Sequence, residues 1–261
     1  MNRISPTVKQ LLIINIIFFF GTINLDSLNK ILSLHFPEYF QFDFWQIISH
    51  MFMHGNHIHL LFNMFALWMF GTAVESIFGS RRFLFFYITS GLGAAIAQIA
   101  YFYFIYYSNL EILINAGYNS YDVLTVLNKG VVVETPEGFS IINPDPLFQT
   151  FRNILEINAQ EFIESFYMSM VGASGAIMGV LVAFGMLFPE SKLMLLFIPF
   201  PVKAKYFIPG IIILDLISAI TGYSFFSPSN TAYIAHVGGA ITGFFIMYYW
   251  KKNRFNQNRW Y

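Results

Sequence analysis

Six stretches of the chain are apolar over lengths that suit a membrane crossing. They fall at about 8–24, 56–77, 83–107, 169–188, 206–221 and 232–250. A transmembrane helix needs about 20 mostly apolar residues, so each reads as a span; the fifth is short and carries Asp215. Between the third and fourth lies a long interruption, 108–168, polar enough to sit in water. Within it "KGVVVETPEGFSI" alternates and predicts a small hairpin. "PLFQTFRNILEINAQEFIESFYMS" has Phe148, Phe151, Ile154, Leu155 and Phe162 at helical spacing, which predicts an amphipathic helix lying on the membrane surface. A segment of this size has too little core to be a separate soluble domain, so 1–261 reads as one membrane domain with an extramembrane insertion.

Composition agrees. The chain is 56% hydrophobic and only 11% charged, against about 25% charged in soluble domains. No cysteine is present, which excludes disulfides, thiol catalysis and thiolate metal sites. "VKQLLIINIIFFFGTI" lacks a small-residue cleavage pattern and reads as a retained first span, not a signal peptide. The aromatic run "YFYFIYY" at 101–107 is expected to face lipid and its interface. Charge adds an orientation. With the N-terminus in the cytoplasm, the inner segments hold Arg3, Lys9, Arg81, Arg82, Lys192, Lys203, Lys205, Lys251, Lys252, Arg254 and Arg259, leaving Lys30, Lys129 and Arg152 outside. The positive-inside rule favours that frame. Both termini are then cytoplasmic and the insertion is on the outer side.

Polar groups inside spans are costly and so mark candidate sites. Ser174 lies in "GASGAIMG" at the outer end of span four, and His236 in "AHVGGAITG" at the outer end of span six. Each is followed by a small-xxx-small pattern, Gly175 to Gly179 and Gly239 to Gly243, which lets two helices approach closely. Taken alone, Ser174 reads blandly as a packing serine and His236 as a structural histidine. At matched depth, the two together point to a hydroxyl activated by an imidazole. Span two adds His59 and Asn63 at i, i+4, on one helical face. Both can donate to a developing oxyanion, with the backbone N–H of Ser174 as a third donor. The cluster His50, His54, His57 and His59 also allows a metal reading, but there is no HExxH pattern and no acidic residue nearby, so no metal or other cofactor is expected. Asp215 is expected to be a structural anchor, paired to a polar neighbour or placed near the outer cavity; a third catalytic member is conceivable.

"HxxxN" opening one span, "GxSG" opening a later one and "AHxxGxxxG" in the last together resemble the rhomboid family of intramembrane serine proteases, over roughly residues 40–250. The resemblance implies an all-α membrane protein, a six-transmembrane-helix bundle. It implies a Ser–His dyad of Ser174 and His236, an oxyanion hole of His59 and Asn63, and an acyl-enzyme route to cleavage of other proteins in or near their membrane spans. His54 and His50 resemble further histidines ahead of the second span, and Gly172 resembles the glycine two residues before the nucleophile. Glu75 in "GTAVESIFG" is expected to tie down the inner loop, and "PFPVK" resembles the inner loop of related sequences. Gln46 stands where the family's Trp-Arg motif, begun by Trp45, has arginine. The implied partners are transmembrane protein substrates and the bilayer, with no nucleic acid. The expected location is a bacterial inner membrane. A client-binding relative without activity would lose the serine or histidine, an ion transporter would more often show paired charges or an internal repeat, and an aspartyl protease needs two carboxylates where the spans hold one aspartate.

Overall fold

The computed structural model describes residues 4–23, 25–135, 138–195, 198–223 and 232–255. Helix α1 spans Pro6–Thr22, with proline in its first turn where no N–H is needed. A short helix α2, Asp26–Leu32, and one turn α3, Gln46–Ser49, bracket the loop that the charge pattern assigns to the outer side, called the outer loop below. Helix α4 runs His57–Phe78, capped by Asn56, whose side chain accepts from His59 N at 2.8 Å. Gly79, at φ 74°, turns the chain into α5, Ser80–Asn115.

After α5 come α6 (Ser120–Leu127), the hairpin β1 (Val131–Thr135) and β2 (Gly138–Ile142), then α7 (Pro146–Leu155) and α8 (Ala159–Tyr167). Helix α9 is Ser174–Leu187. A second hairpin, β3 (Lys192–Leu195) with β4 (Ile198–Lys203), contains the "PFPVK" expected only as a loop. Helices α10, Ala204–Thr221, and α11, Tyr233–Phe255, complete the chain. The fold is mostly helical, the two hairpins being its departures from an all-α bundle. Among the described residues, α4, α5 and α10 are long and apolar enough to cross a membrane, and α1 and α9 are shorter apolar helices.

Helix α9 is the axis of the packing. Residues Gly175 to Phe184 are all buried, as expected of a helix apolar on every side. Its small residues face two neighbours. A Cβ on Gly239 of α11 would lie 1.9 Å from the carbonyl oxygen of Gly175, and one on Gly243 would lie 2.7 Å from the Cα of Gly179. On the other side, a Cβ on Gly175 would meet Ala94 of α5 at 2.4 Å. Backbone touches backbone along this seam, which only glycine permits. Glu75 serves the opposite end. It accepts from Ser5, from the N–H groups of Thr7 and Val8 at 2.9 and 3.0 Å, and from Ser80 at 2.7 Å. It therefore ties the first turns of α1 and α5 together, satisfying N–H groups that a helix start leaves free.

The outer region departs from expectation in three ways. Helix α5 is 36 residues long, about 54 Å at 1.5 Å per residue, so it outruns a hydrocarbon layer of about 30 Å. The aromatic run expected to face lipid lies on this extension and is divided: Phe104 and Tyr107 are exposed, while Phe102, Ile105 and Tyr106 are buried against protein. The amphipathic helix expected on the membrane surface is instead two helices, broken at Glu156, whose φ is +48°. Their apolar face, Phe148, Phe151, Leu155, Phe162 and Phe166, packs on Tyr106 and Leu110 of α5 and on Phe36 and Tyr39 of the outer loop. The insertion thus shares a core with the extension of α5, where alone it would have too little to bury.

Candidate active site

The chain reaches the site through two outer segments held against each other. Leu34 and Met170 exchange backbone hydrogen bonds at 3.0 and 2.8 Å, and Gly172 N donates to His50 O at 2.9 Å. Residues 168–173 are therefore outside the helix, and α9 starts at Ser174, later than the span boundary expected from hydropathy. The outer loop is organised by Gln46, which is 0% exposed. Its amide donates to Gln41 O at 2.8 Å and Ile31 O at 3.3 Å, and its oxygen accepts from His35 N at 3.2 Å. The residue that departs from the family motif is the internal fastener of this loop. A neutral amide suits a fully buried place better than a guanidinium would.

Gly172 has φ 132°, a conformation that side chains resist. Space makes the same demand. A Cβ there would lie 3.0 Å from both Cε1 and Nε2 of His59 and 3.4 Å from Ser174 Oγ. The serine hydroxyl and the His59 imidazole thus flank one point beside a bare backbone. Asn63, one turn further along α4, is buried, and its Nδ2 has no hydrogen-bond partner among the described residues. A buried amide donor without an acceptor is costly; here it stands on the same helical face as His59.

His236 joins from α11, one turn before the Gly239 contact. It is 8% exposed. Its Nδ1 bonds Asp215 Oδ2 of α10 at 2.8 Å. No hydrogen bond joins Ser174 Oγ to His236 among the described residues; such contacts are often loose before substrate binds. Asp215 thus has the polar neighbour that its place in a span demands. Sequence reasoning left that neighbour unnamed, although depth was a usable signal: Asp215 lies near the end of α10, His236 near the start of α11, and consecutive spans run antiparallel.

His50 and His54 support the site from outside the spans. His50 donates from Nδ1 to Gln46 O at 2.8 Å, and its carbonyl accepts from Gly172 N. The buried His54 ring packs edge-on to His59 with centroids 5.1 Å apart. Burial holds His50 down to about 4; burial, and then the His59 ring, hold His54 down to about 3. An unfolded histidine titrates near 6.5. As pH falls from about 6.5 towards 4, the unfolded chain takes up protons that these two folded rings refuse, so stability falls in that window and is flat above it. A pH series of thermal midpoints checks this, and midpoints constant down to pH 4.5 would contradict it.

Among the described residues no group of three His, Cys, Asp or Glu side chains could hold a metal ion. What converges is a hydroxyl at a helix start, an imidazole with a carboxylate behind it, and two side-chain donors, all in a helical bundle fit for a membrane. Apolar helices of this length define the class, a membrane protein. Comparison with known proteins supplies the family. The family model described as "Rhomboid domain" matches residues 41–115 and 150–253, well over half of the chain. The chain belongs to the rhomboid family. It is 33% identical over 104 residues to the rhomboid protease GluP of Bacillus subtilis, which covers 37% of this chain and 20% of that protein. It is 26% identical over 218 residues to the rhomboid protease AarA of Providencia stuartii, covering 74% of this chain and 76% of that one. An uncharacterised mitochondrial rhomboid protein of Schizosaccharomyces pombe is 27% identical over 202 residues, covering 76% of this chain and 48% of that one. The chain therefore spans about a fifth of GluP and about three-quarters of AarA.

Proposed function

We propose that this protein is an intramembrane serine endopeptidase that hydrolyses peptide bonds in or near the transmembrane segments of other membrane proteins. The observation that carries the reading is the meeting of Ser174 Oγ and the His59 ring around Gly172, with the buried Asn63 amide one turn from His59 along α4. Ser174 Oγ attacks the scissile carbonyl carbon while its proton passes to His236 Nε2. The carbonyl oxygen becomes an oxyanion, met by His59, Asn63 and the Ser174 N–H. Collapse breaks the C–N bond, and the imidazolium gives its proton to the leaving amine. Water then hydrolyses the acyl-serine ester by the same proton path in reverse order. Helices α1, α4, α5, α9, α10 and α11 serve as the six spans, with both termini in the cytoplasm, the insertion outside and 1–261 acting as one domain. In this frame Ser174 opens towards outer water. A substrate helix must unwind to present its bond, which favours small or helix-breaking residues at the cut. A bacterial inner membrane is the proposed location.

The test is reaction of the purified protein with a fluorophosphonate probe, the labelled residue located by peptide mass spectrometry. Labelling at Ser174 is the expected result; a folded protein that takes no probe there overturns the reading. The oxyanion role of Asn63 has its own signature. Asn63→Ala should lower kcat about a hundredfold. It should leave stability unchanged or slightly raised, because it removes a buried donor that lacks an acceptor. Rates on a reconstituted substrate together with thermal midpoints check both signs. A variant that loses stability and rate together would assign Asn63 to packing.

A further inference from the structure

The dyad implied by family resemblance leaves the buried carboxyl beside His236 unused. We propose that Asp215 is a positioning residue for His236, so that hydrolysis uses a Ser174–His236–Asp215 arrangement in which the carboxylate fixes the working tautomer of the imidazole. The inference rests on the peptidase reading above. Asp215 is 3% exposed, and its Oδ2 lies 2.8 Å from His236 Nδ1. An ionised carboxylate can only accept. The hydrogen bond therefore places the proton of the neutral ring on Nδ1 and leaves the Nε2 lone pair for the serine proton. The carboxylate also stabilises the imidazolium formed when that proton arrives, without itself becoming protonated.

The placement suits this role better than that of a simple clamp. Helix α11 is already held to α9 by the Gly175–Gly239 and Gly179–Gly243 contacts and to α5 by Gly93, where a Cβ would meet Thr242 at 1.9 Å. The carboxylate reaches across from a third helix, α10, to one ring nitrogen. In a span an unpaired carboxylate is costly, and the interhelical bond that relieves the cost is made to the one side chain that must act as base.

Asparagine is the informative replacement, because its side chain can turn either its oxygen or its NH2 group to Nδ1. The NH2 orientation moves the ring proton to Nε2 and removes the base. Asp215→Asn should therefore lower kcat and the rate of fluorophosphonate labelling by about a hundredfold to ten-thousandfold, with KM little changed. Asp215→Glu keeps an acceptor-only group and should recover part of the loss. Added to His236→Ala, Asp215→Asn should cost nothing further, since it acts through the missing ring. Nitrogen-15 spectra of histidine-labelled protein, with His236 assigned by its loss in His236→Ala, should show an Nδ1–H tautomer in the parent and a mixture or the other tautomer in Asp215→Asn. This last readout does not require activity. Parent-like labelling and tautomer in folded Asp215→Asn overturn the inference, as does a further loss on the His236→Ala background, which would mark a structural clamp. If Asp215→Asn does not fold, Asp215→Glu decides: labelling that falls in step with the Nδ1–H fraction supports the inference, and labelling that does not follow the tautomer overturns it. If the parent itself takes no probe at Ser174, the peptidase reading falls first, so the two failures are distinct.

Discussion

Replacing Ser174 with alanine should abolish hydrolysis, by about ten-thousandfold or more, and replacing His236 with alanine should do the same. The double variant should be no slower than either single one. Nucleophile and base act as a unit: without the imidazole the hydroxyl keeps its proton, and without the hydroxyl the imidazole has nothing to deprotonate. Effects of such partners do not add. The fold should tolerate both losses unequally. Ser174 Oγ makes no hydrogen bond among the described residues and Ser174 is only half-buried, so its alanine variant should melt near the parent. His236→Ala leaves the Asp215 carboxylate buried without its imidazole, and should melt lower. Initial rates on a reconstituted substrate, beside thermal midpoints, separate these effects. A Ser174→Ala protein that keeps more than a few per cent of the parental rate would remove the serine from the mechanism.

The candidate site lies where segments distant in sequence are fastened together. The His50 carbonyl holds Gly172, Gly172 separates His59 from Ser174, and Leu34 with Met170 sets the height of the strand that leads into α9. The outer insertion reaches the same loop. Asn128 accepts from Phe40 N at 2.8 Å and donates to Glu38 O at 3.0 Å, and the rings of Phe36 and Tyr39 pack on Phe166 and Tyr167. The added outer mass thus braces the loop that Gln46 fastens from within.

Local patterns carried what local physics determines. Alternation at 131–142 foretold the β1–β2 hairpin, and the i, i+4 spacing of His59 and Asn63 foretold a shared face. The glycine pairs at 175/179 and 239/243 foretold the seam between α9 and α11. What failed depended on the identity of the opposite surface. Lipid tails and buried side chains are equally apolar, so hydropathy could not tell that Tyr106 faces Phe162 and not a bilayer. The same ambiguity made α7 and α8 read as a surface helix, and extended the fourth span back through residues that pair with Leu34 and His50. A left-handed Glu156 has no local sequence signal, since glutamate gains nothing from that conformation. Asp215 announced that it needed a partner, but naming one required the crossing of α10 and α11.

That crossing, and the one beside it, set the second large effect. Gly239→Ala should lower the rate a hundredfold or more and lower the thermal midpoint by several degrees. The added methyl would lie 1.9 Å from the carbonyl oxygen and 2.7 Å from the carbonyl carbon of Gly175. Both are backbone atoms inside a helix and cannot rotate aside, so α9 and α11 must separate. Ser174 is next to Gly175, and His236 is one turn from Gly239. Their alignment therefore opens with the seam, and a shift of about 1 Å at reacting groups is enough to cost about a hundredfold. Overpacking of this kind also costs about 1–3 kcal/mol. Gly21 and Gly210 supply the control, because both lie within helices and a Cβ on either meets nothing within 4 Å. Alanine there should be neutral or stabilise by up to about 1 kcal/mol through helix propensity. If Gly239→Ala behaves like Gly210→Ala in rate and midpoint, the seam is not what holds the serine and histidine in register, and the glycines of the two motifs would have to be explained by something other than close approach.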